Sequence, residues 1–284
     1  MNVESNVSTN LLDPVLINEN NHTSSPTATF SNISYSLPPG RGFKIAGLNI
    51  NSLTKHIDEL RIDLDDYSID ILSLNETKLD ESIKSCELHI PGYELIRRDR
   101  DRNGEGVCFY LKTSINFVVR SDLNVVNLEN LCLEIRKPIS KPFFVITWYR
   151  PPCSSIESFS YYESLVGKLD SLGFEYYLVD DFNCNLASPH YDTNTRRLCE
   201  ISDLYGLQQL ITEPTRITES SSTLIDLIYT NYVDRVVCSG VSHIGISDHS
   251  LIYVYRKLSP DFPSKGHSTI SYRNFQNFNR GKFP

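Results

Sequence analysis

Six short apolar runs in this chain each stop at side chains that can ionise or hydrogen-bond. Continuous apolar runs are typical of strands buried on both faces, because a half-exposed strand alternates apolar and polar positions. Polar side chains at the ends of such strands lie where the sheet meets solvent. The six polar ends are Asn49 with Asn51, Asn75 with Glu76, Tyr149 with Arg150, Asp180 with Asp181 and Asn183, Asp226, and Asp248 with His249. The pattern therefore predicts one cleft assembled from the whole domain.

The chain divides by composition into three parts. Residues 1–42 are rich in Asn, Ser, Thr and Pro and carry too little apolar surface to offset chain entropy, which predicts a disordered N-terminal segment. Residues 43–258 show no internal change of composition and predict a single large domain. Residues 259–284 turn polar again, with proline and glycine, and are typical of a linker-like tail.

Within the predicted domain, strand-like runs alternate with helical patterns. Apolar residues at helical spacing predict helices over 54–67, 156–172 and 193–205, with Thr54 as the first N-cap and Gly173 and Gly206 closing the other two. Shorter runs between positions 93 and 136, separated by a turn at 103–106, predict antiparallel strands. Together these elements predict an α/β fold in which packed mixed sheets are flanked by helices.

Bulk properties restrict the class of protein. The formal net charge of −8 disfavours tight, non-specific binding of nucleic acid, although the arginines at positions 97–102 could act as a local cluster. Seven scattered cysteines without a C-x-x-C pair indicate a reducing compartment and no zinc site. No stretch approaches the roughly 20 apolar residues that cross a bilayer. We therefore expect a soluble protein of the nucleus or cytoplasm, neither secreted nor membrane-bound.

Glu76 and the pair Asn49 and Asn51 could bind an ion and a phosphate. A glutamate at a strand end is a hard oxygen ligand, which suits Mg²⁺. The two asparagines are two residues apart and so share one face of a strand, where their amides could bind a phosphate oxygen or hold a ligand. Each observation also has a structural interpretation: a solvated glutamate that begins a loop, and a turn formed by the asparagines.

Asp181 and Asn183 follow the fourth apolar run with the same spacing of two. Asp181 could take a proton from water while Asn183 holds the scissile phosphate. Tyr149, at the end of the third run, could donate its hydroxyl to phosphate. The structural alternatives are an aspartate turn and an aromatic ring packed beside the proline turn that follows Tyr149.

His249 could stabilise charge on a phosphate, with Asp226 or Asp248 accepting from its other nitrogen. The alternative is a structural histidine at the start of a strand. Taken together, the polar ends supply a metal ligand, a base, a His–Asp pair and neutral donors. That set of groups predicts hydrolysis of a phosphate ester by an activated water. The chain contains no phosphate loop of Walker type and no serine nucleophile elbow.

The order of these motifs over residues 43–257 resembles the endonuclease/exonuclease/phosphatase superfamily. Within it, several stretches look most like the endonuclease domain of non-LTR (LINE-like) retrotransposon proteins, and residues 272–275 resemble the start of the linker toward their reverse transcriptase. That polymerase is absent from this sequence, so we expect a truncated element product. The motifs are Asn-Ile-Asn-Ser at 49–52, Asn-Glu-Thr-Lys at 75–78, Tyr-Arg-Pro-Pro at 149–152, Asp-Phe-Asn-Cys-Asn at 181–185, Ile-Thr-Glu-Pro-Thr-Arg at 211–216, Ile-Asp at 225–226 and Ser-Asp-His at 247–249.

The resemblance implies a fold, a cofactor and a substrate. The fold is a DNase I-like, four-layer sandwich of two packed mixed β-sheets flanked by helices. The activity is a Mg²⁺- or Mn²⁺-dependent endonuclease that nicks one DNA strand and leaves a 3′-hydroxyl for reverse transcription, with DNA as partner and no stable protein partner. By position, the implied metal residues are Glu76, Asn51 and Asp248, the water-activating residue is Asp181, the phosphate contacts are Asn49, Tyr149, Asn183 and His249, and the charge-stabilising pair is His249 with Asp226.

The chain departs from the family pattern at Asp180, where members usually have glycine, and at Glu105, which interrupts a glycine-rich turn. A side chain and a negative charge at position 180 stand where backbone approaches the site closely. Two alternatives to the retrotransposon endonuclease therefore stay open. One is an apurinic-site endonuclease or a phosphoesterase acting on lipid or inositol substrates. The other is a catalytically impaired remnant that acts only as a DNA- or protein-binding module.

Overall fold

The computed structural model describes residues 37–100, 105–138 and 140–258. Most of the predicted N-terminal segment, all of the predicted tail and half of the predicted turn at 103–106 lie outside these ranges. The helices are α1 (Leu53–Tyr67), α2 (Ser158–Ser171) and α3 (Thr193–Leu204). The strands, in chain order, are β1 (Phe43–Asn49), β2 (Ile71–Asn75), β3 (Tyr93–Arg98), β4 (Val107–Lys112), β5 (Asn116–Val119), β6 (Glu129–Arg136), β7 (Phe143–Tyr149), β8 (Glu175–Asp181), β9 (Gln208–Gln209), β10 (Arg216–Ile217), β11 (Ser222–Thr223), β12 (Asp226–Thr230), β13 (Val236–Ser242) and β14 (Leu251–Arg256).

Two mixed sheets of six strands each form the centre of the described chain. The first has the order β13-β14-β1-β2-β4-β3 and the second the order β5-β6-β7-β8-β12-β9, while β10 and β11 form a separate hairpin. Each large sheet has one parallel pair, β1 with β2 and β7 with β8, among antiparallel neighbours. Parallel strands need a crossover connection. Helices α1 and α2 supply these crossovers, so the predicted mixed sheets with helical connections are confirmed.

Side chains of the buried strands alternate between two apolar cores. In β1, Ile45 faces the core between the sheets, whereas Leu48 lies in the cluster that contains Leu60 of α1. On the far side of the second sheet, Trp148 of β7 stacks on Tyr162 of α2 with ring centroids 4.0 Å apart. The order of layers is therefore helix, sheet, sheet, helix. This is the predicted four-layer sandwich, and it arises because each strand is covered on both faces.

The helix bounds agree with the predicted bounds to within two residues. Gly173 and Gly206 follow α2 and α3 with φ values of 67° and 62°, which is the left-handed conformation that ends many helices. The predicted cap at Thr54 is wrong, because Ser52 occupies the N-cap position of α1 and makes no side-chain capping bond. No helix in the described ranges is long and apolar enough to cross a membrane.

Helix α3 has a true N-cap, and its removal tests the described helix start. Asp192 accepts a hydrogen bond from the Thr195 N–H at 2.7 Å, which lowers the pKa of the Asp192 carboxyl. We expect Asp192→Ala to reduce the free energy of unfolding by about 1 kcal/mol at pH 7, measured by urea denaturation. Asp192→Asn, which keeps an acceptor, is the control.

The lowered pKa of Asp192 also sets the pH dependence of this effect. A carboxyl whose pKa is depressed in the folded state stabilises that state above its unfolded pKa and loses this contribution as pH falls through the folded value. The difference between wild type and Asp192→Ala should therefore shrink below about pH 4. A difference that stays constant down to pH 2 would contradict the cap.

Candidate active site

The two parallel strand pairs deliver four of the predicted site residues to one edge of the sandwich. Strands β1 and β2 end at Asn49 and just before Glu76, and β7 and β8 end at Tyr149 and Asp181. Asp226 and His249 reach the same edge from the opposite direction, because β12 begins at Asp226 and β14 begins shortly after His249, and both run antiparallel to these strands. Polar ends of both sheets therefore converge there, as the apolar runs predicted.

The Asn49 side chain joins the two sheets at this edge. Its Nδ2 donates to Glu76 Oε1 at 2.8 Å and to Asp181 Oδ2 at 3.1 Å. Its Oδ1 accepts from the Asn51 N–H at 3.2 Å. Both hydrogens of the Asn49 amide are thus used in these bonds. The predicted phosphate contact would require that one of the two hydrogen bonds to a carboxylate be broken.

His249 lies between two aspartates. Its Nδ1 is 2.9 Å from Asp226 Oδ2 and 3.9 Å from Asp181 Oδ2, and the ring is almost fully buried. Burial favours the neutral ring, but the hydrogen bond and charge of Asp226, with the charges of Asp181 and Asp248, raise the pKa of His249 to about 9. The ring is therefore an imidazolium at neutral pH, and the predicted His249–Asp226 contact is present.

Asp181 is buried in the second sheet and receives several hydrogen bonds. Burial and the charge of Asp226 raise the pKa of Asp181 well above its usual value, against the opposing effects of His249, the Asn183 N–H and Asn49. The Asn183 N–H donates to Asp181 Oδ1 at 2.8 Å. A carboxylate with a raised pKa holds a proton more readily than a surface aspartate does. The side chain thus has the basicity that a proton acceptor needs.

Tyr149 and Asn183 border the same group. The Tyr149 hydroxyl donates to Glu76 Oε1 at 2.9 Å, and burial with the charge of Glu76 raises the pKa of Tyr149 well above its usual value, so the hydroxyl stays neutral. Asn183 has a φ of 49° and donates one Nδ2 hydrogen to the Arg150 carbonyl at 2.9 Å. Its second Nδ2 hydrogen has no acceptor among the described contacts and could meet a phosphate oxygen.

Two predicted residues lie at the margin with partners of their own. Asn51 is exposed, and its Oδ1 accepts a short hydrogen bond from Lys78 Nζ. Asp248 accepts from Arg216 Nε at 2.8 Å; burial opposes ionisation, but Arg216 and His249 together lower the pKa of Asp248. Neither side chain contacts Glu76 in the described contacts, so their metal roles stay predictions.

The predicted arginine cluster is engaged inside the protein. Arg97 is paired with Asp99, and the Arg98 guanidinium donates to the Asn130 carbonyl at 2.8 Å. Arg100 pairs with Glu105 and Glu129 beside the site, while Arg102 lies outside the described residues. The charges of Arg97 and Arg100 are thus balanced by neighbouring carboxylates, whereas Arg98 binds a backbone carbonyl.

Two residues without a predicted role support the His–Asp pair. Thr215 is fully buried, and its Oγ1 accepts from the Asp226 N–H at 3.1 Å, while its carbonyl accepts from the Ser250 N–H at 2.7 Å. Ser247 Oγ donates to the Asn49 carbonyl at 2.6 Å and accepts from the His249 N–H at 3.1 Å. Both residues belong to stretches that carry the resemblance, but their spacing in sequence does not indicate these contacts.

Glu76 is the carboxylate that best fits a divalent ion. Oε1 is held by two donors, whereas among the described residues Oε2 is paired only with Lys78 Nζ, at 3.8 Å, and the side chain is 23% exposed. One outward oxygen beside solvent suits Mg²⁺, which binds one or two carboxylates and keeps water ligands. Asp181, Asp226 and His249 also place ligand atoms within 4.8 Å of one another. To bind a metal, this second group would first have to release the proton that its carboxylates favour on His249.

Asp180 occupies the position where the family pattern has glycine, and its backbone explains that preference. Its φ is 125°, a conformation that L side chains rarely adopt. Glu105, the other departure, also has a positive φ, of 60°. Burial raises the pKa of Asp180 to about 8, against hydrogen bonds from Ser73 and Thr147. Asp180 therefore holds a proton more readily than a surface aspartate does, and its carboxyl is buried between the sheets.

Comparison with known proteins identifies the architecture. No family model and no curated protein sequence matches the chain. Among solved structures, the endonuclease domain of TRAS1, a telomere-specific non-LTR retrotransposon, aligns with a TM-score of 0.61 at 15% identity over 76% of this chain and 99% of that domain. The AP endonuclease LMAP from Leishmania major has a TM-score of 0.66 at 14% identity over 78% of this chain and 90% of its own.

The 3′-5′ exonuclease NExo from Neisseria meningitidis aligns with a TM-score of 0.61 at 17% identity, over 76% of this chain and 100% of its own. Identities this low speak for the architecture and leave the activity to the residues of the site. The architecture agrees with the one that the sequence motifs predicted. The chain has a DNase I-like fold, which it shares with these three nucleases.

Proposed function

We propose that this protein is a divalent-metal-dependent phosphodiesterase that nicks DNA. The observation that carries the proposal is the hydrogen-bonded link from Glu76 through Asn49 to Asp181, with the charged His249 beside Asp181. This link places an oxygen ligand, a base and a cation within one small volume at the edge of both sheets. Phosphodiester hydrolysis needs these three functions together.

Asp181 is the proposed base. Its raised pKa favours removal of a proton from water, and the Asn183 N–H and Asn49 amide fix the direction of its two oxygens. A general base works best when its pKa approaches the working pH. Before Asp181 accepts the proton, its carboxylate is negatively charged, and His249 lies close enough to stabilise that charge. Asp226 keeps the imidazolium in place.

The phosphate would be held by neutral donors and one cation. Asn183 contributes the free hydrogen of its amide, and His249 contributes positive charge that grows more effective in a buried site. Tyr149 and Asn49 act first on Glu76, since both donate to Oε1. Either residue could contact a phosphate directly only after its hydrogen bond to Glu76 Oε1 breaks. We therefore propose that Tyr149 and Asn49 orient the Glu76 carboxylate.

Glu76 would hold Mg²⁺ or Mn²⁺, whose bound form polarises the phosphodiester and offsets its charge. Asn51 and Asp248, which bind Lys78 and Arg216, would join it. Lys78 Nζ lies 3.8 Å from Glu76 Oε2. In the absence of other cations, this ammonium therefore balances part of the carboxylate charge.

We take residues 43–258 as the endonuclease domain and DNA as its partner. The likeness to the TRAS1 endonuclease domain and the retrotransposon-like motifs at 49–52 and 149–152 support nicking of intact DNA for target-primed retrotransposition. The likeness to LMAP supports the second candidate, an apurinic-site endonuclease. The two candidates share the chemistry and differ in the DNA that they cut.

Nicking of supercoiled plasmid tests the chemistry. With Mg²⁺ or Mn²⁺ we expect conversion to open circles that stops on chelation, and Asp181→Asn and Glu76→Gln should each reduce the rate at least about 100-fold. Asp203→Asn and Glu200→Gln on the exposed face of α3 are matched controls that should nick normally. Equal nicking by wild type and Asp181→Asn, or none with either metal, would refute the proposal.

The charge on His249 can be measured directly. In Asp226→Asn the partner charge is lost while burial remains, so the pKa of His249 should fall from about 9 to about 6.5 or below. Histidine NMR titration measures this shift, with the exposed His190 as internal reference. Nicking by Asp226→Asn should then drop more at pH 8 than at pH 6. An unchanged His249 titration would rule out this pairing.

A substrate panel separates the two candidates. Duplexes that are intact, that contain one tetrahydrofuran abasic analogue, or that end in a 3′-phosphate should be compared at equal concentration. We expect single-strand nicks in intact duplex that leave a 3′-hydroxyl. Cleavage confined to the abasic position would instead establish the apurinic-site endonuclease.

A further inference from the structure

The carboxyl group of Asp180 connects strands of both sheets beneath the candidate active site. Its Oδ2 accepts a hydrogen bond from Ser73 Oγ of β2 at 2.6 Å and a short one from Thr147 Oγ1 of β7. All three residues are at most 1% exposed. Buried hydroxyl and carboxyl groups in such networks restrict the positions of the strands that carry them, because each lost bond leaves an unsatisfied group.

The backbone at Asp180 is shaped to aim this side chain inward. Consecutive side chains of a regular strand point to opposite faces. Yet a Cβ built on Gly47 of the first sheet would lie 2.6 Å from Val179 Cγ1 and 2.9 Å from Asp180 Oδ1, so both neighbours face β1. The φ of 125°, which L side chains rarely adopt, breaks the alternation. Gly47 leaves the space that the carboxyl fills.

The hydrogen bonds lie directly under three site residues. Ser73 precedes Glu76 by three positions, Thr147 precedes Tyr149 by two, and Asp180 precedes Asp181. The three strands therefore meet at one carboxyl just before each presents its functional side chain. Glu76 accepts a hydrogen bond from Tyr149 and is joined to Asp181 through the Asn49 amide. A shift of β2, β7 or β8 relative to the other two strands would therefore break these hydrogen bonds.

We propose that Asp180, with Ser73 and Thr147, is a positioning residue of the nuclease site, which holds β2, β7 and β8 in the register that brings Glu76, Tyr149 and Asp181 together. The proposal rests on the proposed function and reverses the expectation that Asp180 impairs the site. A strained backbone is retained only where its surroundings hold it. Here two hydroxyl donors and a facing glycine do so.

Steady-state nicking of a fluorescent duplex with Mg²⁺ tests the role. Asp180→Gly relieves the φ strain but removes the bonds, so we expect kcat to fall about 10- to 100-fold with little change in KM. Asp180→Asn keeps an acceptor oxygen and should stay within about fivefold, the equivalent of one ordinary hydrogen bond. Ser73→Ala and Thr147→Val should lower kcat in wild type and have little further effect in Asp180→Gly. Nicking by Asp180→Gly as fast as or faster than by wild type would overturn the proposal.

A second measurement does not need turnover. In proton–nitrogen correlation spectra, Asp180→Gly, Ser73→Ala and Thr147→Val should each shift the side-chain amide signals of Asn49 and Asn183. Ser202→Ala is the control, since it removes a buried hydroxyl of α3 that donates to the Leu198 carbonyl at 2.8 Å and does not contact Asp180, Ser73 or Thr147 in the described contacts.

The two measurements separate the two proposals. If wild type nicks nothing, the proposed function fails, and the amide signals alone decide the positioning role. Unmoved Asn49 and Asn183 signals in folded variants would overturn it. Should Asp180→Gly not fold, Ser73→Ala and Thr147→Val carry both measurements.

Discussion

The Asn49 amide donates to a carboxylate in each sheet, and the candidate site depends on this one contact. Glu76 and Asp181 are brought to the same nitrogen, at 2.8 and 3.1 Å, although the second bond joins residues 132 positions apart. A primary amide has two hydrogens in a fixed plane, so the two acceptors cannot drift independently. Tyr149 then reaches Glu76 from the second sheet and His249 lies beside Asp181. The facing sheets can supply this geometry only while their separation and register are held.

The electrostatics of the site follow from the same crowding. Burial and a neighbouring carboxylate make Asp181 a better proton acceptor, and the same carboxylates keep His249 charged. Each group thus offsets part of the desolvation of the other. Basic groups nearby, such as Arg216 and Arg100, are paired with carboxylates of their own.

Sequence reasoning located the strand ends and therefore most residues of the candidate site. Glu76, Asp181 and the His249–Asp226 pair lie together as their motifs indicated. It did not foresee that Asn49 bridges two carboxylates. The reason is physical: an amide at a strand end can reach phosphate, carboxylate or backbone, and the choice depends on atoms contributed by segments more than a hundred residues away.

The sequence by itself determined the periodicity of the chain: apolar runs long enough for strands covered on both faces, helical spacing between them, and polar residues at their ends. Only the tertiary structure decided the partner of each polar group, because hydrogen bonds require alignment within a few tenths of an ångström. Asp180 shows the difference. Its place in the sequence suggested an intruding charge, whereas a positive φ turns it between the sheets, where burial raises its pKa and two hydroxyls hold it.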